Sequence, residues 1–359
     1  MKIVVFGLAI SSSWGNGHAT LWRGLVRALV RRGHHVTFFE RDVPYYAANR
    51  DLHDLPGGAL VIYSDWAGVA DAARRAVADA DVALVSSYCP DAAEAERLVL
   101  AAPRAARVFY DLDTPVTLAA LDGPERPAYV GPRGFADYDL VLSYTGGAAL
   151  AALRDRLGAK RVAPLYGHVD PDVHRPAPAS GDHPRSALTY LGTYAADRQP
   201  ALERLFIKPA RLRPDRRFTI GGAQYPADFP WTPNIFFLRH LPPSEHPLFF
   251  SSGRMTLNVT RAAMAAMGFC PSGRLFEAAA CGTALLSDDW EGLDAFFTPG
   301  EEILVASTTD DALAALDLDN AEVARIARNG RERVLADHTS DKRAADFEAA
   351  IADLGRVVP

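Results

Sequence analysis

Lys2 to Leu8 is a short apolar, β-branched run that ends in a Gly/Ser-rich segment, the pattern of a parallel strand covered on both faces. From Ala19 to Arg32, Leu21, Leu25, Ala28 and Leu29 recur at helical spacing, Gly33 supplies a C-terminal cap, and His35 to Glu40 returns as a strand. The same alternation continues through a helix at Val69 to Ala78, a strand at Val82 to Ser86, a helix at Ala92 to Ala101, and strands at Arg107 to Tyr110 and Leu140 to Ser143. It predicts a doubly wound parallel sheet. Tyr166 to Pro184 breaks the pattern with Pro171, Pro176, Pro178 and Pro184 and no apolar period, as an interdomain connection does. Beyond it the alternation restarts. Strands are expected at Ala187 to Leu191, Arg217 to Ile220, Ile235 to Leu238, Met255 to Val259, Ala284 to Ser287 and Ile303 to Ala306, with helices at Pro200 to Phe206 and Ser272 to Ala280. Asp310 to Ala336 and Asp341 to Leu354 also read as helical, the latter with Ala344, Phe347, Ile351 and Leu354 on one stripe. The α/β organisation expected is therefore a first Rossmann-like domain over 1–165, a linker over 166–186, a second Rossmann-like domain over 187–338, and a C-terminal helix over 339–359 packing back on the first.

Composition narrows the class. The 359 residues are 49% hydrophobic and 23% charged, which is ordinary globular chemistry, and the net charge of -6 argues against a broad nucleic-acid-binding face. Cys89, Cys270 and Cys281 are too few and scattered for a disulfide framework or a four-ligand zinc site, so they are expected buried and reduced. MKIVVFGLAI is a poor signal peptide, and no apolar run approaches the roughly 20 residues that cross a bilayer. A cytoplasmic protein without a membrane span is the expectation. Two tandem α/β domains usually hold a ligand in the cleft at their strand C-terminal ends, so the chemistry is sought there.

After the first strand, SSSWGNGHAT carries Gly15, Asn16 and Gly17, which expose backbone amides, and His18, an imidazole just before the first helix. The third glycine of a dinucleotide fingerprint is replaced by Thr20, so a nicotinamide cofactor is not expected. In PSGRLFEAAACGTALLSDDWEGL, Pro271 suits a first helical turn, Ser272 and Gly273 leave amides open, and Arg274 adds charge, the makings of a diphosphate site at a helix N-terminus. Glu277, one turn on, is placed to accept hydrogen bonds from a ribose diol. Arg198 follows the first strand of the second domain, and Asn258 and Arg261 end the strand Met255 to Val259. These are further candidates for phosphate or sugar. Asp111 and Asp113 form an Asp-x-Asp pair, read as positioning an acceptor more readily than as holding a metal. His168, His174 and His183 fit no helical zinc spacing, and His34-His35 reads as a helix end entering a strand. Neither a metal nor a cofactor is expected.

SSSWGNGHAT, LDTPVT, SYTGG, LGTYAADRQPALERL, NVTRAAM and PSGRLFEAAACG, in this order from Lys2 to about Val305, resemble the glycosyltransferases related to the spore-maturation protein CgeB. EAAACGT and DDWEGL further resemble the donor-binding helix of family 4 glycosyltransferases. The resemblance implies a GT-B fold, a nucleoside diphosphate-sugar donor held mainly by the second domain through the positions of Arg274 and Glu277, and a metal-independent transfer to an acceptor it does not identify. The alternatives are an epimerase of the same fold or a non-catalytic nucleotide-sugar-binding protein. One position departs from the pattern: the first glutamate of the retaining family 4 motif is Phe269 here, so the stereochemical outcome stays open. His18 is then the candidate general base, since an imidazole ordinarily titrates near neutrality.

Overall fold

The computed structural model describes residues 1–15, 17–178 and 184–355. It divides into two compact units, residues 1–166 with 340–359, and residues 167–339.

In the first unit seven parallel strands run β1 (Lys2–Gly7), β2 (His35–Arg41), β3 (Ala59–Tyr63), β4 (Val82–Ser86), β5 (Ala106–Asp111), β6 (Leu140–Ser143) and β7 (Val162–Pro164), in the spatial order β3-β2-β1-β4-β5-β6-β7. Strand order reverses beside β1, and its C-terminal end with that of β4 forms the crevice where such sheets take ligands. Every residue of β4 is buried, and Phe6 stacks on Phe39 while Phe109 stacks on Phe135 beneath the covering helices. Two edge strands went unforeseen: β3 is only half-buried and β7 is three residues long, so neither carries a strong periodic signal. The helix Trp66–Ala78 starts earlier than its apolar period because Asp65 caps it, accepting from the Gly68 amide at 2.9 Å.

The helix Ser340–Ala352 belongs to this unit and packs on the helix Gly17–Arg31. Phe347 and Ile351 supply its buried stripe. Glu348 accepts a bidentate bond from Arg32 and faces His34 Nε2 at 2.6 Å, and these partners, Arg32 foremost, hold its carboxyl at about 2. A carboxyl depressed in the folded state stabilises above its unfolded pKa and loses that contribution as pH falls through the folded value. Glu348→Gln should therefore cost about 1 kcal/mol or less at pH 7, given the partial exposure of the pair. Urea titrations at pH 7 and pH 3 check this: the gap between wild type and variant should narrow at pH 3, and an unchanged gap would assign it to packing.

The second unit repeats the design with β8 (Leu188–Leu191), β9 (Phe218–Gly222), β10 (Ile235–Arg239), β11 (Met255–Asn258), β12 (Ala284–Ser287) and β13 (Leu304–Val305), ordered β10-β9-β8-β11-β12-β13. Its reversal lies between β8 and β11. Leu188, Tyr190, Phe206, Phe218, Ile220, Leu257 and Leu286 form the core under this sheet. The single helix expected over 310–336 is two, Thr309–Asp317 and Asn320–Asp337, because Asp319 caps a new start by accepting from the Glu322 amide at 2.8 Å. The segment expected as a linker is mostly part of this unit: His168, Asp170 and His174 are buried, and Val169 bridges to Thr339. Prolines there shape a packed turn; they do not free the chain.

Candidate functional site

In the first unit the loop after β1 is pinned by Glu40 at the end of β2. Its buried carboxylate accepts from the Ile10 amide at 2.7 Å and the Ser11 amide at 2.9 Å. The helix Gly17–Arg31 follows, and His18 in its first turn reaches Asp113, Nε2 to Oδ2 3.1 Å. Asp113 stands just before the helix Thr114–Ala120, past the end of β5, without capping it through its side chain, so the pair joins the segments that follow two strands. Tyr88 lies beyond the end of β4 with its ring 5.7 Å from that of His18, on a backbone with φ 63°, and Tyr129 packs against it. A bulky residue in left-handed conformation stores strain that such sites tolerate.

Asp111 does not join this surface. It is fully buried, its Oδ1 accepts from the Asp113 amide at 3.1 Å and Thr117 Oγ1 at 3.0 Å, and burial pushes its carboxyl up to about 7. Its role is to shape the loop that presents Asp113, which corrects the expectation that both aspartates face an acceptor. Gly17 likewise occupies open space, and it is Gly15 that adopts a positive φ of 58°. Asn16 and His183 fall outside the described residues.

In the second unit Arg198 follows β8 and Arg274 stands in the first turn of the helix Gly273–Ala280, between β11 and β12. Among the described residues neither has a carboxylate ion-pair partner. Arg198 Nη1 donates only to the Thr193 carbonyl, at 3.4 Å, and the Nε groups of both arginines have no partner. Burial depresses the Arg274 pKa, and the charge of Arg198 depresses it further against the opposing influence of Tyr190 and Glu277, so two cations sit close with no carboxylate in ion-pair contact among the described residues. Ser272 makes no side-chain cap at this helix start. Arg274 also lies over the Tyr190 ring at 5.3 Å. Positive charge at an uncapped helix N-terminus is the arrangement that binds a phosphate.

Two expected ligands play other parts. Asn258 is buried; its Nδ2 donates to Thr260 Oγ1 and Ser287 Oγ while its Oδ1 accepts from Arg274 Nη1 at 3.1 Å, so it holds the arginine and faces no solvent. Arg261 is exposed and is engaged by Asp197, which also accepts from the Ala262 amide. Phe269, with φ 45°, is fixed by its amide donating to the Glu291 carbonyl at 2.7 Å, in the loop before the Arg274 helix.

Glu277, one turn beyond Arg274, has its pKa raised by burial against the opposing charges of His246 and Arg274. His246 and His174 are beside it, both pushed down to about 4 by burial. The spacing of histidines along the chain gave no sign of this cluster, because its members come from three separate segments. Cys89, Cys270 and Cys281 are buried and in no disulfide among the described residues. No helix among the described residues is long and apolar enough to cross a membrane.

Comparison with known proteins places this geometry. No curated protein matches the chain in sequence. Sucrose-phosphate synthase from Thermosynechococcus elongatus superposes with a TM-score of 0.67 at 15% identity, over 99% of this chain and 99% of that one. Anabaena HepE in complex with UDP and glucose gives 0.69 at 12%, over 98% and 100%. An alpha-glucosyltransferase in complex with UDP and a 13-mer DNA gives 0.66 at 14%, over 98% and 99%. The fold is GT-B, two Rossmann-like parallel-sheet units, and residues 198–349, which include Arg274 and Glu277, match the glycosyl transferase-like family, so the chain carries a glycosyltransferase-like domain.

Proposed function

We propose that the protein is a glycosyltransferase that moves a sugar from a nucleoside diphosphate donor to an acceptor nucleophile, with the second unit as the donor site. The observation that carries this reading is the Arg198–Arg274 pair, two neighbouring cations with no carboxylate in ion-pair contact among the described residues, at a helix start that Ser272 does not cap. A diphosphate satisfies both. As the glycosidic bond breaks, charge grows on the leaving β-phosphate, and the arginines and the helix dipole stabilise it in place. The UDP held by HepE and by the alpha-glucosyltransferase makes UDP-sugars the first donors to test. The six motifs found in order support assignment to the CgeB-related group, and a hexose is the sugar that assignment favours.

In this reading Glu277 takes the ribose diol, and His18 with Asp113 takes the acceptor proton. The phosphate-binding parts named are arginines and amides, so the transfer itself calls for no metal at the diphosphate. The His18 imidazole with the Asp113 carboxylate 3.1 Å from its Nε2 is a suitable acid–base pair, because Asp113 fixes the ring and stabilises the imidazolium formed. Glu277→Ala should weaken nucleotide binding by roughly 1.5–3 kcal/mol, the range for a hydrogen bond to a charged group. The maximal rate should change less, since a ribose contact acts equally on ground and transition states. Calorimetry with UDP checks it: unchanged affinity in the variant removes Glu277 from the donor site.

A further inference from the structure

We propose that His174, His246 and Glu277 form a binding site for one divalent transition-metal ion, zinc by its chemistry, inside the second unit. One ligand atom from each residue can be chosen so that all lie within 4.8 Å of one another. His174 is 2% exposed, and neither of its ring nitrogens has a hydrogen-bond partner. The turn that carries it closes through its own amide donating to the Asp170 carbonyl at 2.9 Å, so the side chain is aimed by packed backbone.

His246 opens the helix His246–Ser252, and its Nε2 lies 3.4 Å from the Leu241 carbonyl. A carbonyl only accepts, so the ring proton belongs on Nε2 and the lone pair on Nδ1, which has no partner. A ring proton given to a backbone carbonyl in this way orients a metal-ligating histidine and fixes its tautomer. A buried polar atom left unmatched is destabilising, and both ring nitrogens of His174 and Nδ1 of His246 are in that position here. A cation that accepts lone pairs answers them together. Two imidazoles and one carboxylate suit zinc, whereas calcium and magnesium prefer all-oxygen sets. Arg274, on the same helix as Glu277, carries a positive charge that acts on both His246 and Glu277 and opposes the ion.

The site shares Glu277 with the glycosyl-transfer reading but stands on the two histidines as well, so the two are tested by separate readouts. It would tie the turn at His174 and two helices together. The test is calorimetric titration of zinc chloride into the untagged full chain after chelator treatment, with thermal unfolding and UDP affinity measured in parallel. One ion per chain and a raised melting temperature are expected, with both responses lost in His174→Ala and in His246→Ala. The apo wild type itself serves as the measurement if a variant does not fold. Absence of stoichiometric zinc binding by the wild type, or wild-type binding by both variants, overturns the site. UDP affinity reports the donor reading separately.

Discussion

His18→Ala should lower turnover by roughly 10²- to 10⁴-fold, the range for general acid–base catalysis, while nucleotide affinity stays close to that of the wild type. The expectation rests on the 3.1 Å contact between His18 Nε2 and Asp113 Oδ2, both of which belong to the first unit, whereas Arg198, Arg274 and Glu277 belong to the second. A proton leaving the acceptor is taken by the pair in the transition state, so its loss appears in kcat and not in donor binding. Asp113→Asn removes the carboxylate that orients the ring and stabilises its cation, so it should act in the same direction. The double variant should then be little worse than His18→Ala, because partners in one pair are not additive. Steady-state kinetics with each variant decide this. If His18 is the base, the product is the inverted anomer; a retained anomer by NMR, or near-normal turnover in His18→Ala, reduces the residue to positioning the acceptor and leaves proton transfer to the donor phosphate.

Arg274→Ala is expected to have the largest effect on binding. A hydrogen bond to a charged group contributes about 1.5–3 kcal/mol, so its loss should weaken nucleoside diphosphate affinity roughly 10- to 150-fold. Affinity for the nucleoside without phosphates should hardly change. Removing Arg274 relieves its repulsion with Arg198 and breaks no carboxylate ion pair among the described residues, although it also removes a charge that favours the ionised form of Glu277. Asn258→Ala should reproduce part of the binding loss, because Asn258 Oδ1 is what holds the guanidinium from behind. Titrating UDP and uridine into the three proteins separates these effects. Equal weakening for UDP and uridine would place Arg274 at the base or sugar, away from the diphosphate.

The central strands and long helices could be read from the chain because each carries an uninterrupted period: β1, β4 and β12 as apolar runs, and the helix Gly17–Arg31 as a stripe of Leu25, Ala28 and Leu29. Edge strands β3 and β7 could not, since burial on fewer sides removes the pattern. The cap at Asp319 is one polar side chain within a helical period, and length alone overrode it. At the site, Arg274 and Glu277 followed from helix-start chemistry in one continuous segment. The role of Asn258 did not, because an asparagine at a strand end looks the same whether it meets a sugar or braces an arginine. His18 with Asp113, Glu40 with the loop amides, and His174 with His246 are contacts between distant segments. Sequence spacing carries no information about them until the sheet order is known.

The central claim is that the second unit holds a nucleoside diphosphate-sugar for transfer. Its most direct test is incubation of the full chain with UDP-, GDP- and dTDP-sugars, following release of the nucleoside diphosphate and the fate of the sugar. The account predicts that one donor class gives enzyme-dependent diphosphate release, slow with water and faster once an acceptor is found, and that Arg274→Ala abolishes it. Conversion of one nucleotide sugar into another without diphosphate release, or failure of every donor to bind, would contradict it.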